Sequence, residues 1–349
     1  MTRDNKIHPI MEQFLNSSTE LPLYVIYQQI KAQPDEIDTM RLICLHCKDA
    51  SNQHVAMEYL YTNGLYEDLH TVIEKNRSSI HSTIRNYALL YQIMYERKTL
   101  SKKQIKPDAP MRYVKMSNRI DSTSTDNVFH ILKDLIHIYS YFDVHQYGKI
   151  GNYNDRIKER LDMLTDPLLR ELLEARLDET LCIYHWKRNE VILSRKYGYK
   201  LLANTNNQRK KIDLHNIFAQ TYVLESYEQA IHHATVALEL AESIQDERAI
   251  YGLENYTIPF ISSYHGKTDE VKTEDVAEQA HLALRKGDNK TCIELLEALP
   301  TLTPFQEYYL GLAKKDKALL RQSYRHFIEE RDDYFYARLP LLALQEMDQ

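Results

Sequence analysis

Tyr227-Glu-Gln-Ala-Ile-His-His-Ala-Thr-Val-Ala-Leu-Glu-Leu240 is the stretch that decides the fold. At helical spacing Tyr227, Ala230, Ile231, Ala234, Ala237, Leu238 and Ala241 fall on one face. Small residues recur at 230, 234 and 237, where a neighbouring helix must approach closely. Weaker copies of the hairpin lie elsewhere. Gly64-Leu-Tyr66-Glu-Asp-Leu69 and Gly287-Asp-Asn-Lys-Thr-Cys292-Ile293 each read as an inter-helix turn followed by an apolar position, and Lys315-Asp316 reads as another such turn. Pro167 and Pro259 bracket an interval with no proline, which is expected to be helical almost throughout. Thr165-Asp166-Pro167 and Pro34-Asp35-Glu36 are read as helix entries, because Pro costs nothing at a first helical position and acids suit the positive end of the helix dipole.

The 227–241 pattern resembles the second helix of a tetratricopeptide repeat, down to the aromatic residue three positions before the first Ala. The expected fold is therefore all-α: a right-handed superhelix of tetratricopeptide-like helical hairpins, with a short or incomplete N-terminal helix-turn-helix region. Composition agrees. The chain has only 8 Gly in 349 residues, against roughly 7% in average proteins, too few for the turns of a doubly wound sheet, sandwich or barrel. Hydrophobic residues make up 43%, enough for a large core, and 26 Tyr suit half-buried, half-wet surfaces.

Several function classes are disfavoured. No apolar run is long enough to span a membrane, and Met1-Thr-Arg-Asp-Asn-Lys6 leads into no secretory core. Four Cys make no disulfide framework, so a reducing, cytoplasmic setting is the default. The glycines form neither a dinucleotide-binding nor a P-loop pattern, and there is no His-Glu-x-x-His and no nucleophile elbow. Neither enzymatic activity nor a cofactor is expected. Cys44-Leu-His46-Cys47 lacks the second pair a structural zinc needs, so both Cys are read as small core residues and no metal is expected. His232-His233 is read as a surface or inter-repeat pair. The net charge of −6 gives no global attraction to nucleic acid, which would have to bind through a local patch. Two basic clusters stand out. Arg97, Lys98, Lys102, Lys103, Lys106, Arg112, Lys115 and Arg119 face a single acid, Asp108. This segment is read as a connector whose functional alternative is a surface for nucleic acid or an acidic partner. Arg195, Lys196, Lys200, Arg209, Lys210 and Lys211 lie in an acid-free stretch, with most of the lysines read as solvated. Arg209 begins a helix that also carries Asn216, Gln220 and Val223, the residue types with which helical-repeat superhelices hold extended peptides.

Ser226-Tyr-Glu-Gln-Ala230, Glu278-Gln-Ala-His281, Tyr308-Tyr309-Leu310 and above all Arg338-Leu-Pro-Leu-Leu-Ala-Leu-Gln-Glu-Met347 resemble the arbitrium peptide receptors of Bacillus phages, the AimR family. The resemblance runs from about Ile7 to Met347. It implies an intracellular dimeric receptor that binds a short secreted peptide inside the superhelix and switches phage transcription between lysis and lysogeny. Carried over residue by residue, it assigns Arg209 and Glu278 as charged peptide contacts, Val223 as an apolar contact, Phe335 as an aromatic one, and Gln220 where the family often has Asn. Ile183 and Lys187 stand where well-known members present Asn, which suggests a different peptide or a different way of holding it.

The implied partners are the peptide, a second copy of the chain, phage operator DNA, and in the alternative a host or phage protein; no membrane is involved. Leu339, Leu341, Leu342 and Leu344 are expected to form a capping and dimerisation helix within 331–349, because four leucines are too many for one exposed helix. Residues 36–330 are expected to be the peptide-binding repeats, and 1–35 a remnant of a helix-turn-helix domain, its first helices missing. Residues 1–60 hold five basic residues (Arg3, Lys6, Lys31, Arg41, Lys48) against eight acids (Asp4, Glu12, Glu20, Asp35, Glu36, Asp38, Asp49, Glu58), a −3 balance unsuited to phosphate contact. The alternative reading is a peptide-gated module that binds a protein and has lost DNA recognition.

Overall fold

The computed structural model describes residues 9–17, 19–99, 108–120 and 126–349. Among them every regular element is a helix, as the periodicity predicts. The chain forms two compact units, residues 1–144 with 149–177, and residues 145–148 with 178–349. Residues 1–8 and, within the basic segment, Lys102, Lys103, Lys106 and Pro107 lie outside the described residues.

In the first unit helices close in sequence pack on one another from Pro9–Asn16 to Gly151–Leu161, the first of them on Glu36–His46. The entry at Pro167 holds, with the Asp166 carboxylate accepting the Leu169 N–H at 2.8 Å; the other helix begins at Glu36 with acids in its first turn, but Pro34 lies ahead of it rather than at its first position. The two N-terminal helices, Pro9–Asn16 and Leu23–Ile30, bury Ile10, Met11, Phe14, Leu23, Ile26, Tyr27 and Ile30. The link between them is fastened to the start of helix Ala50–Thr62. Glu20 accepts the N–H groups of Lys48 (2.7 Å) and Asp49 (2.9 Å), and Asn52 accepts that of Leu23 (3.0 Å). Deeper in this unit, Arg176 lies 2.8 Å from Glu58, with Tyr91 donating to the same carboxylate oxygen and the Tyr61 ring under the guanidinium at 4.4 Å.

The second unit repeats one local recipe. Asn207, Ser226, Asp275, Asp288, Thr303 and Asp316 each accept a backbone N–H at the start of a helix, satisfying donors the helix itself cannot. Left-handed residues end the preceding helices at Gly287 and Lys315, where the sequence predicts turns. Ala230, Ala234, Ala237 and Ala241 are fully buried, so the small-residue face does carry a close neighbour. A second close approach is at Gly198 on helix Val191–Asn204, where a Cβ would sit 2.5 Å from Phe218. A π-turn at Leu253–Thr257 interrupts the α-helical run, and another at His326–Glu330 ends helix Lys317–Arg325.

Three details refine the sequence-based expectations. Of the basic residues 195–211, Lys196, Lys200 and Arg209 are exposed as expected, whereas Arg195 and Lys210 are largely covered; Arg195 pairs with Glu225 and Lys200 with Asp178 (both 2.8 Å), and Lys210 with Glu179. The stretch is acid-free only along the chain, because neighbouring helices supply the carboxylates. His232 and His233 take the two expected settings, one each: His232 is exposed at the surface, while His233 is buried between helices, its Nδ1 3.0 Å from that of His215 and its Nε2 3.1 Å from the Tyr199 hydroxyl. The four leucines of helix Arg338–Asp348 do not share one exposed face. Leu339 is buried and Leu344 packs on the core, whereas Leu341 and Leu342 remain 39% and 38% exposed. All four cysteines are buried and free.

Candidate functional site

Helix Val276–Arg285 starts where Asp275 accepts the Ala277 and Glu278 N–H groups, so Glu278 sits in the first turn, where the helix dipole favours a carboxylate. Its side chain points inward and the residue is only 8% exposed. Tyr309 donates its hydroxyl to one carboxylate oxygen at 3.1 Å, and His281 Nδ1 lies 3.3 Å from the other. No Lys or Arg among the described residues reaches it within 4.0 Å. The His281 ring stacks on Tyr309 at 4.1 Å and faces Phe260 at 5.7 Å. Burial pushes the His281 imidazole below its usual range, partly offset by Glu278, and pushes the Tyr309 phenol well up, with Glu278 adding to the rise. The result is a buried carboxylate held by neutral donors among aromatic walls.

A second cluster lies in the same hydrophobic core. The Tyr336 hydroxyl donates to Gln220, whose amide donates to Thr257 at 3.3 Å; Thr257 in turn donates to Asn216 at 2.9 Å. Tyr336 packs edge-on against Phe260 (5.9 Å) and Phe335 (5.0 Å), and Phe335 against Trp186 (6.2 Å). Lys187 is buried here, 2.8 Å from Asp333, with the Trp186, Tyr336 and Tyr147 rings at 3.8, 4.8 and 4.9 Å from its ammonium. Burial lowers the Lys187 pKa, and Asp333 pulls the other way.

The predicted contacts thus divide. Glu278, Gln220, Val223 and Phe335 occupy one buried region, with Phe260 and Tyr336 in ring contact between its clusters. Val223 and Phe335 are wholly enclosed by the chain's own core. Arg209 lies elsewhere, at the start of helix Gln208–Tyr222, its side chain 59% exposed and its Nε 3.6 Å from Asp246. Ile183 is half buried, and Lys187 replaces an amide with a cation that already has a carboxylate. Sequence reasoning did not single out Tyr309, His281, Tyr336, Trp186 or Asp333 as site residues. The three-residue spacing of Glu278 and His281 is the signal that could have joined those two on one face.

This arrangement can bind and has little to react with. Burial pushes Cys182 and Cys292 up to about 11, away from the thiolate. Among the described residues no group of three His, Cys, Asp or Glu side chains could hold a metal ion, and no helix is long and apolar enough to cross a membrane.

Comparison with known proteins places these features. The sequence pattern of the family described as AimR transcriptional regulator-like matches residues 36–346. An uncharacterized protein of Bacillus anthracis is 26% identical over 222 residues, 60% of this chain and 82% of its own length. An AimR transcriptional regulator of Bacillus phage SPbeta is 24% identical over 335 residues, 91% of this chain and 83% of its own. A solved structure described as phAimR with ligand superposes with a TM-score of 0.74 at 18% identity, covering 95% of this chain and 98% of that one, so the two share the helical-repeat fold.

Proposed function

The chain belongs to the AimR transcriptional regulator-like family, and from that premise we propose that it is an intracellular receptor for a short secreted phage peptide. It regulates transcription in the choice between lysis and lysogeny according to whether the peptide is bound. The observation that carries the peptide half is Glu278. A buried carboxylate without a Lys or Arg partner is costly, and a ligand ammonium or guanidinium would complete it. Gln220 faces the bound chain after Tyr336 yields its place beside it, and Val223 and Phe335 back the site from the core. Arg209 leaves Asp246 to meet a ligand carboxylate.

Calorimetry with short synthetic peptides carrying one basic residue tests this. Glu278→Ala should weaken the best binder by roughly thirty-fold or more, since it removes one partner of a buried charged pair. Arg209→Ala, starting from an exposed position, should cost about fivefold or less. Equal binding by both variants and the parent would mean that the peptide sits elsewhere.

Leu341 and Leu342 are the leucines left for an isologous dimer, since Leu339 and Leu344 serve the chain's own core. The double variant Leu341→Ser/Leu342→Ser should be a folded monomer by light scattering; an unchanged dimer would remove this helix from the interface.

One observation favours the alternative, a module that gates a protein partner and has lost DNA recognition. The N-terminal segment combines its −3 charge balance with helices whose apolar faces are spent on the core of the first unit. A mobility shift on the phage's regulatory DNA separates the two readings, because the alternative requires that none occurs.

A further inference from the structure

Helix Ala109–Arg119 has the sequence Ala-Pro-Met-Arg-Tyr-Val-Lys-Met-Ser-Asn-Arg and contains no acid. Its buried side, Ala109, Pro110, Tyr113 and Ser117, faces the core. Arg112, Lys115 and Arg119 are all exposed on the opposite side. At 100° per residue they fall within about 60° of one another, along roughly 10 Å of helix axis.

No Asp or Glu among the described residues lies within 4.0 Å of any of the three, and the one contact Arg112 makes is with the neighbouring Tyr113 ring, 5.8 Å away. Among the described arginines of the same unit this sets Arg112 and Arg119 apart, since Arg41, Arg77, Arg97, Arg156, Arg160, Arg170 and Arg176 end on carboxylates and Arg85 on backbone carbonyls. Like charges one turn apart repel, so the stripe costs stability and offers the fold nothing in return.

We propose that this helix face is a nucleic-acid surface, with Arg112, Lys115 and Arg119 contacting the phosphate backbone. Charge complementarity selects a polyanion, and the absence of any apolar anchor selects nucleic acid over protein. The exposed large hydrophobic side chains of the chain include none from this helix, whereas a protein interface has an apolar or aromatic centre. The inference rests on the regulator reading above and supplies what that reading lacks, since the five basic residues of residues 1–60 are outnumbered by eight acids. Ten ångströms of axis spans about three phosphates of one strand.

The test is fluorescence anisotropy of a labelled random-sequence DNA duplex, titrated with the full chain between about 50 and 200 mM salt. Arg112→Ala/Lys115→Ala/Arg119→Ala should flatten the slope of log affinity against log salt by roughly 2.7, at about 0.9 per lost phosphate contact. The loss should be the same on unrelated sequences, as backbone contacts require. Arg112→Lys/Arg119→Lys should keep most of the slope, and circular dichroism should show unchanged helix in every variant. If the parent binds duplex and the triple variant keeps its salt slope, this surface is wrong and the regulator reading stands. If the parent binds no duplex even at low salt, the surface and the DNA half of that reading fall together, leaving the peptide half to calorimetry. Polyglutamate competing as strongly as duplex, through the same three residues, would overturn the choice of nucleic acid.

Discussion

Glu58 and Glu278 are both buried glutamates on helices, one in each unit, and their surroundings are opposite. Glu58 meets the Arg176 guanidinium, a Tyr91 hydroxyl and the Thr62 hydroxyl at 2.8 Å, while Arg176 is further engaged by Tyr139 at 3.1 Å. Every charge in that cluster is answered within the fold. Glu278 has only a phenol and an imidazole, and Glu307 likewise has no Lys or Arg, with Gln322 at 2.7 Å and His326 at 2.8 Å. A closed ionic cluster holds a structure in register, whereas a carboxylate such as Glu278, left with a phenol and a buried imidazole, is poised for something that arrives later. The first unit closes Glu58 on an arginine; the second closes Lys187 on Asp333 but leaves Glu278 and Glu307 without Lys or Arg, and Glu278 lies where the peptide is proposed to bind.

The largest expected effect breaks the closed cluster. Arg176→Met strands the Glu58 carboxylate and should destabilise the chain by about 3–5 kcal/mol in urea unfolding followed by circular dichroism. Glu58→Leu combined with Arg176→Met should recover most of that loss, because a well-packed apolar pair can match a buried ion pair. A single variant within about 1 kcal/mol of the parent would erase the contrast between the units.

None of this pairing was legible in the sequence. Arg176 and Glu58 are 118 positions apart, Lys187 and Asp333 146, and no local pattern announces which helix will supply a partner. What could be read was short-range: the alanine face at 230, 234, 237 and 241, the left-handed turns at Gly64, Gly287 and Lys315, and the capped entry at Pro167. Helix periodicity and turn chemistry act over a few residues, so they survive in a single sequence. The leucines of the last helix show where this stops. Their number signals an apolar face, but only the packed neighbours decide that Leu339 and Leu344 are spent while Leu341 and Leu342 are left. The candidate site was legible as a set of residues through family resemblance, and its chemistry became visible only when Tyr309, His281 and Tyr336 closed around it.

The contrast sharpens with pH, and the chain carries its own reporter, since its single Trp, Trp186, lies in the second unit. His233 in that unit is pushed down to about 4, mainly by burial, with His215, His232 and Arg195 acting in the same direction. A histidine whose folded pKa lies below its ordinary 6.5 contributes full stability above 6.5 and loses it as pH falls toward 4. Trp186 fluorescence during urea unfolding should therefore show the second unit weakening across that window. The loss is on the order of 2 kcal/mol once the screening of the ring's wetter side is counted. His233→Gln should flatten the profile. An identical pH dependence in parent and variant would show that the imidazole pair does not govern it.

The smallest expected effect tests whether the caps of the second unit are worth what their repetition implies. At helix Pro304–Lys314 the Thr303 hydroxyl accepts the Gln306 N–H at 3.4 Å, and the Gln306 side chain accepts the Thr303 N–H at 2.8 Å. This reciprocal box satisfies two donors that the helix cannot. Its axis runs under the candidate site, because Tyr309 on this helix holds Glu278. Thr303→Ala should cost about 1 kcal/mol, read by Trp186 fluorescence in urea, while Thr303→Ser should restore it because the hydroxyl is the part that matters. Peptide affinity should change far less than in Glu278→Ala, since Tyr309 sits nearly two turns further along and the helix body stays folded. If Thr303→Ala instead weakened the peptide as severely as removal of Glu278, the donor set around that carboxylate would depend on the helix entry, and the second unit's open charge would be held less firmly than its buried walls imply.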